Sequence, residues 1–442
     1  MGKSAILPVP FRLSVQGSCF SLQKADFSGI VTGTEDATPL PEQRVHWDIT
    51  VGNTVKKIAV IFGTRPDTIK LAPIILRLQK ERSWCRVIPI ATAQHRHMLD
   101  QVLDVFGIRP AYDLNIMRPK QSLAQITRNS IDALDRVLTA VRPDMVLVQG
   151  DTLTTFIGSL AAFFRHVPVG HVEAGLRTND KTQPFPEEIN RRLTSAIADL
   201  HFAPTATAKR ALLREHIDPR SIVVTGNSVI DALLIAVRRK HQLSVPALRG
   251  VTSSGRRIIL VTMHRRENWG EPMRGAAMAL RRLATAYPDV TTVFPVHKNP
   301  VVRDMVFPIL QDLPNVLLLE PLDYLDFVHV MNRAFLIITD SGGVQEEAPA
   351  LGKPVLVLRE KTERPEAVAA GTAALLGLRE ETIYRKARRL LDDPKVYRAM
   401  ANAVNPYGDG RAAERTVRAI RWYFGLSKSA GGEFAPGKKR RS

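Results

Sequence analysis

The chain has 442 residues, 45% of them hydrophobic, enough for two or three domains with large cores. No apolar run approaches the ~20 residues a membrane helix needs, no secretory leader pattern is visible, and two cysteines, Cys19 and Cys85, exclude a disulfide framework and a cysteine-built zinc site. The formal charge of +19 raises nucleic-acid binding, but the basic residues are dispersed, only KKRRS clusters, and no zinc-finger or glycine-aromatic RNA signature accompanies them.

The expectation is therefore a cytoplasmic protein with a basic surface and an anionic ligand, with no nucleic-acid partner and no membrane insertion. Residues 1–55 mix Ser, Gly, Thr and Pro without a sustained period and read as a poorly ordered extension. From Lys56 the texture changes. KKIAVIFG is a strand that breaks at GTRPDTIK into a helix, and VIPIAT, AQHRH and MLDQVLDVFG follow as strand, loop and helix. Helix SLAQITRNSIDALDRVLTAV precedes strand DMVLV, and TFIGSLAAFFRH precedes VPVGHV. DLHFAPT and SIVVTGNS complete a first unit over 56–237.

Polar residues 238–257 read as an inter-domain connection. A second series of strands (RIILVTMH, VTTVFPVH, NVLLLEP, AFLIITDS, KPVLVLR) makes a second unit over 258–404. Residues 405–426 are expected to cross back to the first unit as a helix, and 427–442 to form a basic disordered tail. Nearly continuous apolar strands alternating with helices predict an α/β protein of two Rossmann-like domains facing a central cleft. Ligands of such sheets bind outside the carboxyl ends of the strands, and every polar motif of this chain falls there.

Asp151 follows the strand DMVLVQG, and Glu173 follows VPVGHV. Glu187, Glu188, Arg191 and Arg192 occupy the first turns of the helix begun by PFPEE. Carboxylates at element edges suit proton transfer. For the helix, ordinary start grammar and i,i+4 pairs worth ~0.3–0.5 kcal/mol would suffice as an explanation. Asp151 and Glu173, coming after buried strands, have no such local reason.

Gly63, Arg65 and Lys70 in GTRPDTIK suit an anion at a helix start. In TDSGGVQEEAP, Ser341, Gly342 and Gly343 can offer backbone N–H groups to a phosphate, and Glu346 or Glu347 could accept from ribose hydroxyls. His264 and Arg265 in TMHRREN, His297 in FPVHKNP and Arg364 in KTERPEA are further basic residues at strand ends. Phe327 could stack on a base, with a core role as the default. There is no GxGxxG after a strand, no P-loop and no convincing metal spacing, so no cofactor and no metal are expected.

Together GTRPDTIKLAP, TAQHRHMLDQ, QGDTLTT, GHVEAGLRT, PFPEEINRRL, TGNSVIDAL, MHRREN, TDSGGVQEEAPALGKPVLVLREKTERPEAV and NPYGDG resemble the bacterial non-hydrolysing UDP-N-acetylglucosamine 2-epimerases over roughly residues 56 to 425. The resemblance implies a glycosyltransferase-B-like fold, a homodimer and reversible conversion of UDP-GlcNAc to UDP-ManNAc for surface polysaccharides. The route it implies is elimination of UDP to 2-acetamidoglucal and re-addition. It makes Asp151, Glu173 and Glu187 the acid/base candidates, with Arg191 beside Glu187. Arg65, Lys70 and His264 would contact the UDP leaving group, Ser341, Gly342 and Gly343 the diphosphate, Glu347 the ribose, Arg364 the nucleotide or sugar, and Phe327 uracil. Gln94, His95, Arg265 and His297 match positions at which a second UDP-GlcNAc binds as an allosteric activator. The chain departs from the pattern at Asp67, for the usual glutamate, at Gln149, for the usual histidine, in Thr262-Met263-His264, and at His97. A hydrolysing epimerase that releases ManNAc and UDP is the alternative of the same fold, followed by a sugar-nucleotide-binding protein or transferase.

Overall fold

The computed structural model describes residues 55–92, 96–118 and 120–437, with residues 96–98 by their backbone alone. Apart from Val55, the extension expected over 1–55 lies outside the described residues.

Strands β1 (Lys56–Phe62), β2 (Cys85–Ala91), β3 (Tyr112–Asp113), β4 (Met145–Gln149), β5 (Val169–Val172), β6 (Leu200–Ala203) and β7 (Ile222–Val224) form one sheet in the order β3-β2-β1-β4-β5-β6-β7. Strands β8 (Arg257–Thr262), β9 (Val290–Pro295), β10 (Val316–Leu319), β11 (Leu336–Thr339), β12 (Val355–Val357) and β13 (Ala373–Leu375) form a second, in the order β10-β9-β8-β11-β12-β13. The pairings of the central strands are parallel. β4 is buried along its whole length and β1 over its last five residues. This is why they read as unbroken apolar runs, because helices cover both faces. The two Rossmann-like units expected from the alternation are present. The short edge strands β3 and β13 lacked an apolar run long enough to be read.

Strand order supplies what the sequence could not. In the first sheet the chain winds outward from β1 through β2 to β3, then returns to the other side of β1 at β4. The second sheet repeats this between β8 and β11. Crevices open at such reversals. The carboxyl ends of these four strands carry GTRPD, QGD, TMHRR and TDSGG, so the four motifs border the two reversals.

The β1 turn is built for close approach. A Cβ on Gly63 would lie 2.1 Å from Thr92 Oγ1 and 2.6 Å from Thr154 Oγ1. Asp67, one turn into helix Arg65–Leu78, accepts from the backbone N–H of Gly63 and Thr64 and so closes the turn. Burial raises its pKa to about 6.

Helix Ser228–Arg238 packs on helix Arg65–Leu78 of the first unit and on helices Tyr324–Arg333 and Gly342–Ala350 of the second. The connection expected as loop at 238–257 contains a helix, Pro246–Ser253. It is fastened by the buried carboxylate of Asp326, which accepts from the Ser244 backbone N–H at 3.0 Å and lies 2.6 Å from His241 Nε2.

Helix Ala412–Tyr423 packs against Arg65–Leu78 and Ser228–Arg238. The expected disorder over 427–442 is corrected for residues 427–437. Phe434 N–H donates to the Val224 carbonyl at 2.7 Å, and Glu433 accepts from Val224 N–H and from Lys209. β7 is an edge strand, and the tail satisfies the outward backbone N–H and carbonyl of Val224 while burying Phe434. The basic residues 438–442 lie outside the described residues.

Candidate active site

Glu173 stands where the first sheet ends at the cleft. β5 stops at Val172, and Glu173 and Gly175 both adopt positive φ, +64° and +91°. This turns the chain sharply and aims the carboxylate into the protein. The side chain is buried and ringed by donors: Lys70 Nζ lies 2.6 Å from each oxygen, Asn227 Nδ2 is 2.9 Å from Oε1, and the Gln149 amide bonds Oε2. Burial opposes its charge, but Lys70 and then Arg364 hold the carboxyl below its usual range. Lys70 is likewise desolvated, and Glu173 and Glu346 hold its pKa above the ordinary lysine value. The site is an ionised pair at the base of the cleft.

Asp151, half-buried at the end of β4, is bonded by the Arg191 guanidinium. The Asn190 amide donates to the Asp151 carbonyl at 3.0 Å. Helix Glu187–Ile197 is thereby tied to the β4 loop. Its two first-turn acids separate. Glu188 is buried and accepts from the backbone N–H groups of Thr178 and Asn179 and from Arg192, with Arg191 Nη1 at 3.3 Å. Glu187 is half-buried and is absent from the residues lining the two cleft cavities described next. So Asp151, Glu173 and Arg191 are brought together, and Glu187 is not. The expected pairing of Arg191 with Glu187 is also corrected, to Asp151 and Glu188.

The cleft holds two adjoining cavities. One, of 570 Å³, is lined by Arg65, His264, His297, Tyr324, Phe327, Ser341, Gly343 and Glu347. The other, of 900 Å³, is lined by Asp151, Glu173, Arg191, Arg265 and Gly342. Both are within the size range of ligand sites. Lys70, Glu346 and Arg364 line both and form the partition. The first cavity thus gathers Arg65, His264 and Ser341 with the aromatic rings of Tyr324 and Phe327, and the second gathers Asp151 and Glu173.

On the first side, Ser341 precedes helix Gly342–Ala350, so unsatisfied backbone N–H groups face a potential anion. His264 Nδ1 lies 3.1 Å from Asp340 Oδ1, and Asp340 Oδ2 accepts from the backbone of His264 and Arg265 at 2.9 Å each. A buried aspartate therefore fixes the TMHRR loop over the SGG helix start. Glu347 has its pKa raised to about 8 by burial and by Glu346. Burial opposes the Arg364 charge, but Glu346, which accepts its Nε–H, and Glu173 keep it above the ordinary arginine value.

Of the proposed activator positions, His297 stacks on His264 with centroids 6.2 Å apart, and Arg265 lines the second cavity. Gln94 and His95 lie outside the described residues. Among the described residues one group, His241, Asp323 and Asp326, has donor atoms close enough for a metal. Asp326 is occupied there by Ser244 and His241, and Asp323 caps helix Tyr324–Arg333. The set reads as a hydrogen-bonded latch on the connector.

Residues not foreseen from the motifs are Asn227 and Asp340, while Glu346, expected as a possible ribose acceptor, pairs with Arg364, and Gln149, noted as a departure, bonds Glu173. One Asn227 amide donates to both Glu173 and Glu346, at 2.9 and 2.7 Å, and so joins the two domains across the cleft floor. TGNS alone carried no signal for this, because Asn227 also has a plain local role as a helix cap.

A sequence profile described as UDP-N-acetylglucosamine 2-epimerase matches residues 77–421. A Bacillus subtilis (strain 168) protein of that name is 53% identical over 372 residues, 84% of this chain and 97% of its own length. The crystal structure of the Neisseria meningitidis UDP-GlcNAc 2-epimerase bound to UDP-GlcNAc is 48% identical with a TM-score of 0.73, covering 82% of this chain and 99% of that one. The Methanocaldococcus jannaschii UDP-GlcNAc 2-epimerase in complex with UDP-GlcNAc and UDP is 35% identical with a TM-score of 0.66, covering 83% and 99%.

Proposed function

The chain belongs to the UDP-N-acetylglucosamine 2-epimerase family, and on that premise we propose that it interconverts UDP-GlcNAc and UDP-ManNAc without hydrolysis, in the cytoplasm, for surface polysaccharide synthesis. The observation that carries this reading is the partition of the cleft. Lys70, Glu346 and Arg364 stand between a nucleotide-sized cavity and one lined by Asp151 and Glu173. A sugar diphosphate lying across that partition puts its C1–O bond beside the cations and its carbon 2 beside the acids.

In the proposed reaction a base removes the carbon 2 proton and the C1–O bond breaks, giving 2-acetamidoglucal and UDP. UDP then adds back as a proton is delivered to the other face of carbon 2. Arg65, Lys70, His264, Arg364 and the helix start at Ser341 to Gly343 would stabilise the departing diphosphate, the larger electrostatic demand of the step. The diphosphate also competes for Lys70 and Arg364, which would otherwise hold Glu173 and Glu346. Drawing those cations away restores the basicity of Glu173. Asp151, Glu173 and Glu187 remain the acid/base candidates. For Glu187 to act, the segment before helix Glu187–Ile197 must move inward.

In D2O, the purified protein given UDP-GlcNAc is expected to form UDP-ManNAc with deuterium at carbon 2, and no free ManNAc. Free ManNAc and UDP as the products would establish the hydrolysing alternative. No turnover would leave the binding-protein or transferase reading. The reading requires no redox cofactor, and a sigmoidal dependence of the same rate on UDP-GlcNAc would report the activator.

We also propose a homodimer. Phe163 and Phe164 are 58% and 57% exposed at the end of helix Leu153–Phe164, and Ile189 and Leu193 are exposed on the helix packed beside it. Exposed large apolar residues grouped in this way mark interaction surfaces. Sedimentation should give a dimer mass that Phe164→Glu shifts toward monomer. A monomeric wild type at micromolar concentration would sink the idea.

A further inference from the structure

Tyr324 opens helix Tyr324–Arg333 and is 5% exposed, yet its phenolic oxygen is buried without a hydrogen-bond partner among the described residues. Buried hydroxyls are nearly always paired, and an orphan costs the protein its lost hydration. The residue lines the first cavity together with Phe327, Arg65 and Glu347. Its ring is held in place: Phe106 lies against it with centroids 6.2 Å apart, and the Arg65 guanidinium sits 5.9 Å from its centre. Burial and the nearby Glu347 raise its pKa well above the ordinary tyrosine value, so it stays a donor.

We propose that Tyr324 is a specificity-determining residue that reads the ribose: its O–H donates to a ribose hydroxyl whose own hydrogen is directed to Glu347. A hydroxyl both donates and accepts, so it matches one donor and one acceptor presented together, whereas a base carbonyl only accepts. The orphaned oxygen is then an unfilled half of the ligand site, and binding repays the cost that folding left. The assignment rests on the reading that this cavity takes a uridine diphosphate.

Titration calorimetry with UDP, 2′-deoxy-UDP and 3′-deoxy-UDP, on wild type and Tyr324→Phe, tests it. The variant is expected to bind UDP about 10-fold more weakly, the size of one hydrogen bond. The deoxy analogue that lacks the read hydroxyl should bind both proteins equally. The unliganded variant should unfold no earlier than wild type, because the hydroxyl it loses had no partner. An equal loss on UDP and both deoxy analogues, no loss on UDP, or a lower unfolding temperature would each overturn the assignment. Wild-type protein that fails to bind UDP would overturn both this assignment and the nucleotide reading beneath it.

Discussion

Glu173→Gln is expected to lower kcat about 10³-fold, the usual scale for a lost acid or base, while UDP affinity changes only a few-fold. The substitution keeps the shape of the side chain and removes its capacity to take a proton. It also turns one end of the side chain into a donor facing donors, since Lys70, Asn227 and Gln149 all point at the carboxylate. Half-buried Lys70 then loses its counter-charge, so some loss of stability is expected too.

Two readouts separate chemistry from folding. Deuterium entry at carbon 2 should fall with kcat, and titrated UDP should still bind. The pH dependence has a definite sign. Because the folded pKa lies below the ordinary 4.5, the stability Glu173 contributes is present above that value and is lost as pH falls through the folded pKa. An acid limb of the wild-type unliganded enzyme between pH 5 and 8 must therefore come from another group. A kcat within ten-fold of wild type in Glu173→Gln would remove Glu173 from the mechanism.

Gly175→Ala is expected to cost about 3 kcal/mol or more, among the larger effects of a single substitution. At φ +91° an alanine is strained, and its Cβ would lie 2.3 Å from the backbone oxygen of Ala208, 2.8 Å from its carbon and 3.0 Å from Leu212 Cγ. Two of these are helix backbone atoms, which cannot turn aside as a flexible side chain would. Relief requires moving either helix Ala206–Arg214, which carries Ala208 and Leu212, or the turn that holds Glu173 two residues earlier. Thermal unfolding should show a drop of several degrees, and the folded fraction that remains should have a depressed kcat. An unfolding temperature within a degree of wild type would show that the turn is more compliant than its contacts indicate.

The motifs marked the strand ends, and their chemistry was legible wherever a residue type has few uses at such a place. Ser341 to Gly343 before a helix, Arg65 and Lys70 after a strand, and Asp151 and Glu173 after buried runs all reached the cleft. Glu187 and Glu188 were indistinguishable, because helix-start grammar rewards an acid at either position. Burial chose Glu188, for its carboxylate meets the Thr178 and Asn179 backbone and Glu187 meets no such donors among the bonds described. The polar tail read as disorder because its anchors, Glu433 and Phe434, become meaningful only beside the open edge of β7.

What the sequence by itself determined, then, is periodicity and position along the chain. Apolar runs of strand length alternating with amphipathic helices can pack stably only as covered parallel sheets, and polar motifs must then fall at the strand ends. What only the tertiary structure decided is which ends meet. Lys70 and Glu173 are 103 residues apart, and Asn227 and Glu346 are 119 apart. Those distances close because the strand order reverses beside β1 and again beside β8, and because helix Ser228–Arg238 packs against both units. No local preference encodes either event. The Tyr324 hydroxyl, without a partner among the described residues, is of the same kind, since a missing partner can be recognised only once its neighbours have been placed.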